Sequence, residues 1–354
     1  MAEPAPAFEV RRNFSPWYSW MVRLGETGHC DPFPGAAAAT DAGTDAIVAW
    51  RDRCRERLKE LLGRSPERVP PELERRGSED CGTYRRDSVV FDTESHMSVP
   101  AYLLIPHDRK EPGPAVLAVH GHGPGKDLIC GLSVTEAPNG DYAHQLALRG
   151  YVVLAPDLRC FGERADWNPP DHYGCDTNIV HAVMAGESPL AQNLWDMARC
   201  LDVLEDQPLV DPGRLAVGGL SYGGTLALFL AATDDRISAA IVSGYMSSWS
   251  EAHKMPWNMC GSQVLPGMIG RLEHVDLGAL VAPRPLLVES GREDDIFPLP
   301  AAEATVAELR QVYQALGAEP GALVHDVFDG GHQWHGELGY PFLDRWLGEA
   351  PRNG

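Results

Sequence analysis

A serine flanked by glycines is the residue of this chain best placed for nucleophilic chemistry. Ser221 is the centre of the segment Gly219-Leu220-Ser221-Tyr222-Gly223, which has the pattern G-x-S-x-G. Apolar runs before and after this segment predict a strand, a sharp turn and a helix. In such a turn the serine takes a strained backbone conformation, and the glycines let the strand and the helix approach each other. We therefore expect the hydroxyl of Ser221 to stand clear of the sheet, within reach of a base and of a substrate carbonyl.

A serine hydroxyl becomes a useful nucleophile only when a base takes its proton and a third group orients that base. For a serine at this kind of turn, the acid and then the histidine are expected later in the chain. Asp294 and Asp295 follow the predicted strand Pro285–Glu289, and His332 follows the predicted strand Ala322–Phe328. We expect His332 to be the base, while both acids remain candidates at this point. The nearby His335 is more typical of a supporting or surface residue.

The loop His120-Gly121-His122-Gly123 permits a different interpretation. Its two histidines could form a metal-binding H-x-H pair, for which Asp127 is the one near candidate as a third ligand. The chain does not continue with the H-x-H-x-D-H pattern of known metallohydrolases, so we expect no metal and no cofactor.

The elements that must position these residues follow a regular order. Two strands come first, and strands then alternate with helices, which predicts an α/β fold with a mostly parallel eight-stranded sheet and helices on both faces. Ligands of such sheets bind beyond the carboxyl ends of the strands. The predicted strands are Tyr84–Asp92, Val99–Ile105, Ala115–Val119, Tyr151–Ala155, Leu215–Val217, Ile237–Val242, Pro285–Glu289 and Ala322–Phe328.

We expect one large domain with an N-terminal extension packed on it, rather than a separate functional domain at the N-terminus. We expect residues 1–75 to form an N-terminal helical extension, with a helix over Ala46–Leu62 and a linker over Ser65–Glu74. Residues 76–354 are expected to form the catalytic domain. Long connections over 158–188 and 244–280 would cover the active site. Their aromatic residues could line a substrate pocket or could form core beneath the loops. These residues are Trp167, Tyr245, Trp249 and Trp257.

Composition excludes several classes of partner. The 354 residues include 30 Lys and Arg against 50 Asp and Glu, a formal net charge of -20, and no basic cluster is present to bind nucleic acid or an anionic membrane. The N-terminus lacks the order of a secretory signal, and no apolar run is long enough to span a bilayer. The eight cysteines are scattered without a C-x-x-C pair. We therefore expect a cytoplasmic protein, while the sequence leaves the oligomeric state open.

Taken together, these segments resemble the α/β-hydrolase superfamily, in its dienelactone-hydrolase and acetyl-xylan-esterase-like branch. The similar features lie between about Val99 and Leu347; they are the strand Val99–Pro106, the His120–Gly123 loop, Asp157-Leu158-Arg159, the serine turn, Gly291-x-x-Asp294-x-x-x-Pro298 and Gly330-Gly331-His332. The family usually has glycine where Cys160 stands. The resemblance implies that Asp294, with Asp295 as the alternative, is the catalytic acid. It also implies that the backbone N–H of His122 joins that of Tyr222 in an oxyanion hole.

The sequence thus predicts a serine hydrolase that cleaves a small carboxylic ester, such as a short acyl ester, an acetyl ester or a lactone. Ser221, His332 and Asp294 would form the triad, and the expected partner is a small-molecule ester, with neither nucleic acid nor membrane. The same fold hosts peptidases, thioesterases and C–C bond hydrolases, and a non-catalytic ligand-binding homologue is a further alternative.

Overall fold

A single twisted sheet organises the chain. The computed structural model describes residues 15–34, 41–133, 139–166, 174–252 and 259–348. Within these residues the sheet has nine strands, which are β1 Glu74–Asp80, β2 Tyr84–Glu94, β3 Met97–Pro106, β4 Gly113–Val119, β5 Val152–Pro156, β6 Val210–Leu220, β7 Ile237–Ser243, β8 Leu286–Gly291 and β9 Leu323–Phe328. Their order across the sheet is β1-β2-β3-β5-β4-β6-β7-β8-β9.

The type of strand pairing changes once across the sheet, from antiparallel to parallel. The pairs β1–β2, β2–β3 and β3–β5 are antiparallel, and every pair from β5–β4 to β8–β9 is parallel. Because β4, β6, β7 and β8 are parallel, their carboxyl ends meet at one edge of the sheet, where ligands of such folds bind. The predicted α/β class and the mostly parallel sheet are confirmed.

Helices cover both faces of the sheet. On β4, Leu117 and Val119 join one buried cluster while Val116 and Ala118 join another, as the two-residue period of a strand requires. The first cluster includes residues of α2, α6, α7, α9 and α10, and the second includes residues of α4 and α11. The helices are α1 Pro16–Glu26, α2 Asp41–Leu62, α3 Lys126–Ile129, α4 Tyr142–Leu148, α5 Gly174–Ala185, α6 Pro189–Glu205, α7 Tyr222–Thr233, α8 Trp249–Ala252, α9 His274–Val281, α10 Leu299–Ala315 and α11 Gly339–Leu347.

One strand is missing from the sequence prediction. All eight predicted strands are present, and β1 is a ninth that begins at the end of the predicted linker. Every residue of β1 is exposed, so the strand lacks the apolar alternation by which strands are recognised. Its attachment to β2 is partly ionic, with Arg86 Nη2 2.6 Å from Glu79 Oε2. The predicted domain boundary between residues 75 and 76 falls inside this strand.

The helix α2 belongs to the main core. Ile47, Trp50, Cys54 and Leu58 recur along one face, and each is at most 1% exposed. The guanidinium of Arg51 donates a hydrogen bond to the Ala279 carbonyl of α9, 2.7 Å away. The helix α2 is therefore packed on the rest of the chain, while the division of the chain into an extension over 1–75 and a catalytic domain over 76–354 stays a prediction.

Across the described ranges, none of the helices has both the length and the hydropathy that crossing a bilayer would require.

Candidate active site

Ser221 occupies a strained turn between β6 and α7. Its φ of 61° and ψ of −119° place it in the left-handed half of backbone space, which costs a non-glycine residue about 1–3 kcal/mol. The turn is held on both sides, because Ser221 N donates to the Ser243 carbonyl at 3.0 Å and Thr225 N donates to the Ser221 carbonyl at 2.9 Å. Strain at a residue that two hydrogen bonds fix is typical of a functional position.

The glycines of the turn are required by contact. A Cβ atom on Gly219 would lie 2.4 Å from the carbonyl carbon of Gly223, and one on Gly223 would lie 2.0 Å from the carbonyl oxygen of Val119. Neither position can hold a side chain without moving backbone. The predicted reason for the G-x-S-x-G pattern, close approach of strand and helix, therefore matches the structure.

An ion-pair geometry links the predicted base to one of the two candidate acids. His332 Nδ1 lies 2.9 Å from Asp294 Oδ2. The other carboxylate oxygen of Asp294 accepts hydrogen bonds from the backbone N–H groups of Ile296 and Phe297, both at 2.9 Å. The Asp294 side chain is 1% exposed, whereas Asp295 faces solvent. Of the two acids, the structure brings Asp294 to His332.

The ring of His332 lies beside the serine turn. A Cβ atom on Gly244 would be 3.0 Å from both Cε1 and Nδ1 of His332 and 3.1 Å from Cδ1 of Leu220, the residue before Ser221. The second ring nitrogen, Nε2, is buried and has no hydrogen-bond partner within the described residues. Since Asp294 engages Nδ1, Nε2 is the nitrogen available to a proton donor. The ring of Phe297 stacks on the imidazole at a centroid distance of 5.7 Å and limits its rotation.

The loop after β4 passes directly over the serine turn. A Cβ atom on Gly121 would lie 2.8 Å from the Leu220 carbonyl oxygen and 3.2 Å from Ser221 Cβ, so the backbone can run here only as glycine. The next residue, His122, packs its ring against that of Tyr222 at 5.3 Å. The structure thus brings both predicted oxyanion-hole residues next to Ser221.

His120 fixes the position of this loop through hydrogen bonds of its ring. Its Nε2 accepts a hydrogen bond from the Leu158 backbone N–H at 3.0 Å, and its Nδ1 lies 2.6 Å from the Gly121 carbonyl. Complete burial lowers the pKa of His120 to about 4, so its ring is neutral at physiological pH. Both ring nitrogens are occupied by backbone groups. The alternative interpretation of His120 and His122 as a metal-binding pair is therefore not supported by the structure.

A buried ionic network anchors the segment after β5. Asp157 accepts hydrogen bonds from the Lys126 ammonium at 2.7 Å and from the Glu163 backbone N–H at 2.9 Å. Further along, Arg159 pairs with Asp196 at 2.8 Å. Cys160 has a φ of 73°, so it keeps the left-handed conformation that suits the glycine usual at this position. The turn is retained despite the change of residue.

The four aromatic residues proposed to line a pocket are not all placed by the structure. Trp167 and Trp257 lie outside the described residues. Tyr245 is 0% exposed and Trp249 is 2% exposed, and both pack against the ring of His274. The structure places these two in the core beneath the loops, because the residues of α9 cover them, and leaves almost no surface on them for a substrate.

Two further histidines, His335 and His325, lie outside the site. His335 stacks on Phe328 at 4.3 Å, and its Nδ1 lies 2.7 Å from Asp326 Oδ2. Its backbone N–H donates to Glu289, whose pKa is raised by burial. His325 lies within β9, with Nε2 3.1 Å from Ser290 Oγ. Neither is brought to Asp294.

A cleft of about 940 Å³ lies elsewhere, between residues 62–69, the turn 94–97 and the helices α5 and α6. Its lining includes none of Ser221, Asp294 and His332, so it is separate from the candidate site.

Residues that the sequence analysis missed also meet near Ser221. Asn193 on α6 donates a hydrogen bond to the Tyr222 hydroxyl at 2.9 Å and so helps to fix Tyr222. Cys175 and Cys260, from the two long connections, lie with their sulfur atoms 3.1 Å apart and close to His122. No spacing signal could have found the pair, because 85 residues separate the two cysteines.

Comparison with known proteins identifies the family. A profile described as "Abhydrolase family" matches residues 31–314, which is most of the chain, and the protein therefore belongs to this family of α/β-hydrolases. The match begins before α2, so it includes part of the predicted N-terminal extension.

Individual relatives are more distant. The chain is 27% identical over 274 residues to "Putative hydrolase YtaP" of Bacillus subtilis, which covers 75% of this chain and 88% of that protein. A crystal structure titled as a putative acetyl xylan esterase from Bacteroides fragilis has a TM-score of 0.75 at 19% identity, covering 91% of this chain and 84% of that one. A glucuronoyl esterase from Solibacter usitatus has a TM-score of 0.63 at 17% identity, covering 85% and 92%.

The family match confirms the predicted superfamily and fold. It also confirms the prediction that the protein is an enzyme of the hydrolase class. The Bacteroides fragilis structure is titled as a putative acetyl xylan esterase, which agrees with the branch that the sequence resembles, and at these identities the structural neighbours support the fold.

Proposed function

We propose that the protein hydrolyses carboxylic esters through a covalent intermediate on Ser221. The observation that carries this proposal is the convergence of three parts of the chain. These are the strained turn at Ser221, the imidazole of His332 beside it, and the carboxylate of Asp294 on the far side of that imidazole at 2.9 Å. Names of the structural neighbours, which include acetyl xylan and glucuronoyl esterases, support the same reaction class.

In the first half-reaction His332 Nε2 accepts the proton of the Ser221 hydroxyl as its oxygen attacks the ester carbonyl. Asp294 holds the proton of His332 on Nδ1, so that Nε2 is an acceptor, and stabilises the imidazolium that forms. The imidazolium then returns its proton to the departing alcohol, which leaves an acyl group on Ser221.

Charge that develops on the carbonyl oxygen needs donors placed in advance. The backbone N–H of Tyr222, the first residue of α7, and that of His122 are the proposed pair, and the close approach of Gly121 to Ser221 supports this position for the loop. In the second half-reaction water replaces the alcohol: it loses a proton to His332 and attacks the acyl carbon. His332 then gives that proton to Ser221 Oγ as the acid departs, which restores the free serine.

We further propose that the acyl group is small. The rings of His122, Phe161 and Tyr222 pack together beside Ser221, with His122 5.3–5.4 Å from the other two. These rings are held from behind, because Tyr222 is completely buried and bonded to Asn193. A long alkyl chain would have to displace rings that the core supports.

A panel of p-nitrophenyl esters from acetyl to octanoyl tests both statements. We expect hydrolysis of the acetyl to butyryl esters, with kcat/KM falling steeply by octanoyl. In a long acyl tunnel each added methylene would instead gain up to about 0.8 kcal/mol, roughly fourfold in kcat/KM. A maximum at octanoyl would contradict the small acyl site. Cleavage of aminoacyl amides but not of esters would show that the protein is a peptidase and not an esterase; peptidases are one of the alternatives on this fold.

For the location of the protein, we propose the cytoplasm. None of the eight cysteines is joined in a disulfide in the structure, which suits a reducing compartment. Fractionation of the native cells should recover the protein with cytoplasmic markers, and recovery from the medium would contradict this.

A further inference from the structure

One cluster near the site contains donors that the esterase mechanism does not use. His122, Cys175 and Cys260 each direct one ligand atom towards the others, and these atoms all lie within 4.8 Å of one another. Nε2 of His122 is buried and has no hydrogen-bond partner within the described residues. A metal ion bound between the three side chains would give this nitrogen a partner.

The three ligands come from three different parts of the chain. His122 is in the loop after β4, Cys175 is at the start of α5, and Cys260 precedes a short 3₁₀ turn over Gly261–Gln263. The last two segments are packed tightly, since a Cβ atom on Gly261 would lie 2.8 Å from Ile179 Cδ1 on α5. Cys175 is 2% exposed, while His122 and Cys260 are partly exposed, so the cluster is held by core on one side.

We propose that His122, Cys175 and Cys260 form a binding site for a single Zn²⁺ ion. Two thiolates and one imidazole are ligands that zinc prefers, and softer donors than those that calcium or magnesium would select. In a tetrahedral site, Zn–S bonds of about 2.3 Å place two sulfur atoms about 3.8 Å apart. The Sγ atoms need to separate by less than about 1 Å from the present 3.1 Å to reach that distance.

Binding would proceed by loss of the thiol proton from each cysteine to solvent, so the bond to zinc replaces the S–H bond and no electrons are transferred. Three protein ligands leave the fourth position of the metal open to water. Because the ligands join the loop of the oxyanion hole to both long connections, the ion would link the three segments that surround Ser221. This site involves only the His122 side chain, whereas the proposed oxyanion donor is its backbone N–H.

Titration of the full-length protein with Co²⁺, which substitutes for Zn²⁺ and is visible, tests the proposal. The protein is kept reduced with a phosphine reductant, which excludes a disulfide between Cys175 and Cys260. We expect one equivalent of Co²⁺ to produce a thiolate-to-cobalt charge-transfer band, which Zn²⁺ then abolishes. Absence of the band from the reduced protein would overturn the proposal.

Variants locate the site. Cys175→Ser and Cys260→Ser should each weaken Zn²⁺ binding by more than about 100-fold, beyond the 10–100-fold that loss of an outer hydrogen-bond partner costs. Cys30→Ser is the matched control, because Cys30 is an exposed thiol outside the cluster, and it should bind as the wild type does. Equal affinity in all three variants would mean that the metal binds elsewhere.

A measurement on the unmodified chain avoids variants that fail to fold. Zn²⁺ should protect Cys260, and not Cys30, from alkylation, as read by peptide mass spectrometry. Cys260 is the thiol of the cluster that a reagent can reach, because Cys175 is 2% exposed. Unchanged alkylation of Cys260 would overturn the site. Since binding and alkylation are measured without a substrate, the outcome is independent of whether Ser221 is the catalytic nucleophile.

Discussion

Replacement of Asp294 by asparagine would change one oxygen into an amide nitrogen at a position where the structure assigns a role to both oxygens. Oδ2 faces His332 Nδ1, and Oδ1 accepts from the backbone N–H groups of Ile296 and Phe297. An asparagine that keeps the two backbone bonds must direct its NH₂ group at His332. Nδ1 then has to accept a hydrogen bond, and the proton of the ring moves to Nε2.

The expected loss follows from this exchange of tautomers. With a proton on Nε2, His332 can no longer take the proton of Ser221, although the geometry of the turn is unchanged. In a serine triad this change costs about 10⁴-fold in kcat, which corresponds to about 5 kcal/mol. The stability of the fold should change much less than the rate, because the backbone hydrogen bonds and the shape of the side chain are kept.

Asp295→Asn provides the matched control. The neighbouring Asp295 is exposed, so its replacement should alter the rate by no more than about twofold, or 0.5 kcal/mol. Initial rates on p-nitrophenyl acetate, with the rate of Ser221→Ala subtracted as background, give the comparison. Equal losses in the two variants, or a loss below about tenfold in Asp294→Asn, would refute the reasoning.

Three further predictions concern the scaffold. Gly223→Ala should lower the free energy of unfolding by about 1–3 kcal/mol and reduce esterase activity, because the new Cβ would lie 2.0 Å from the Val119 carbonyl oxygen. Urea unfolding and rates of ester hydrolysis measure these two effects. If neither quantity changed, the geometry of the turn would be contradicted. Trp50→Ala should lower the free energy of unfolding, measured in urea, by about 3–5 kcal/mol, because Trp50 is completely buried. A loss below about 1 kcal/mol would contradict the packing of α2 in the core. Burial, together with the charge of Arg310, lowers the pKa of His325 from 6.5 to about 4. As pH falls through this range, His325 becomes protonated in the unfolded chain while it stays neutral in the folded chain. Stability should therefore decline as pH falls from about 6.5 to about 4, less in His325→Gln than in the wild type, and equal declines would contradict the neutral state of His325.

Local signals predicted the parts of this protein that local chemistry determines. The serine turn was recognisable because Gly219 and Gly223 are sterically required on either side of Ser221. The start of α6 is another local feature, because Ser188 Oγ accepts from the Ala191 N–H at 3.1 Å and Pro189 is the first residue of the helix. These features depend on a few adjacent residues, so a sequence pattern can contain them.

Features that depend on tertiary contact were not predictable in the same way. The strand β1 has no apolar face, and its pairing with β2 determines its conformation. Tyr245 and Trp249 lie on a long connection, and whether they face a pocket or the core depends on how α9 packs over them. Between Asp294 and Asp295 the residues alone gave no decision, because the direction of each side chain is set by the hydrogen bonds of the loop.

Covalent labelling is the most direct measurement of the central claim, that Ser221 is an activated nucleophile. The wild-type protein should react with a fluorophosphonate probe, lose esterase activity in proportion to labelling, and carry the adduct on the peptide that contains Ser221. Ser221→Ala should remain unlabelled while keeping the unfolding midpoint of the wild type. An adduct on another residue, or esterase activity in Ser221→Ala above about a tenth of that of the wild type, would contradict the account.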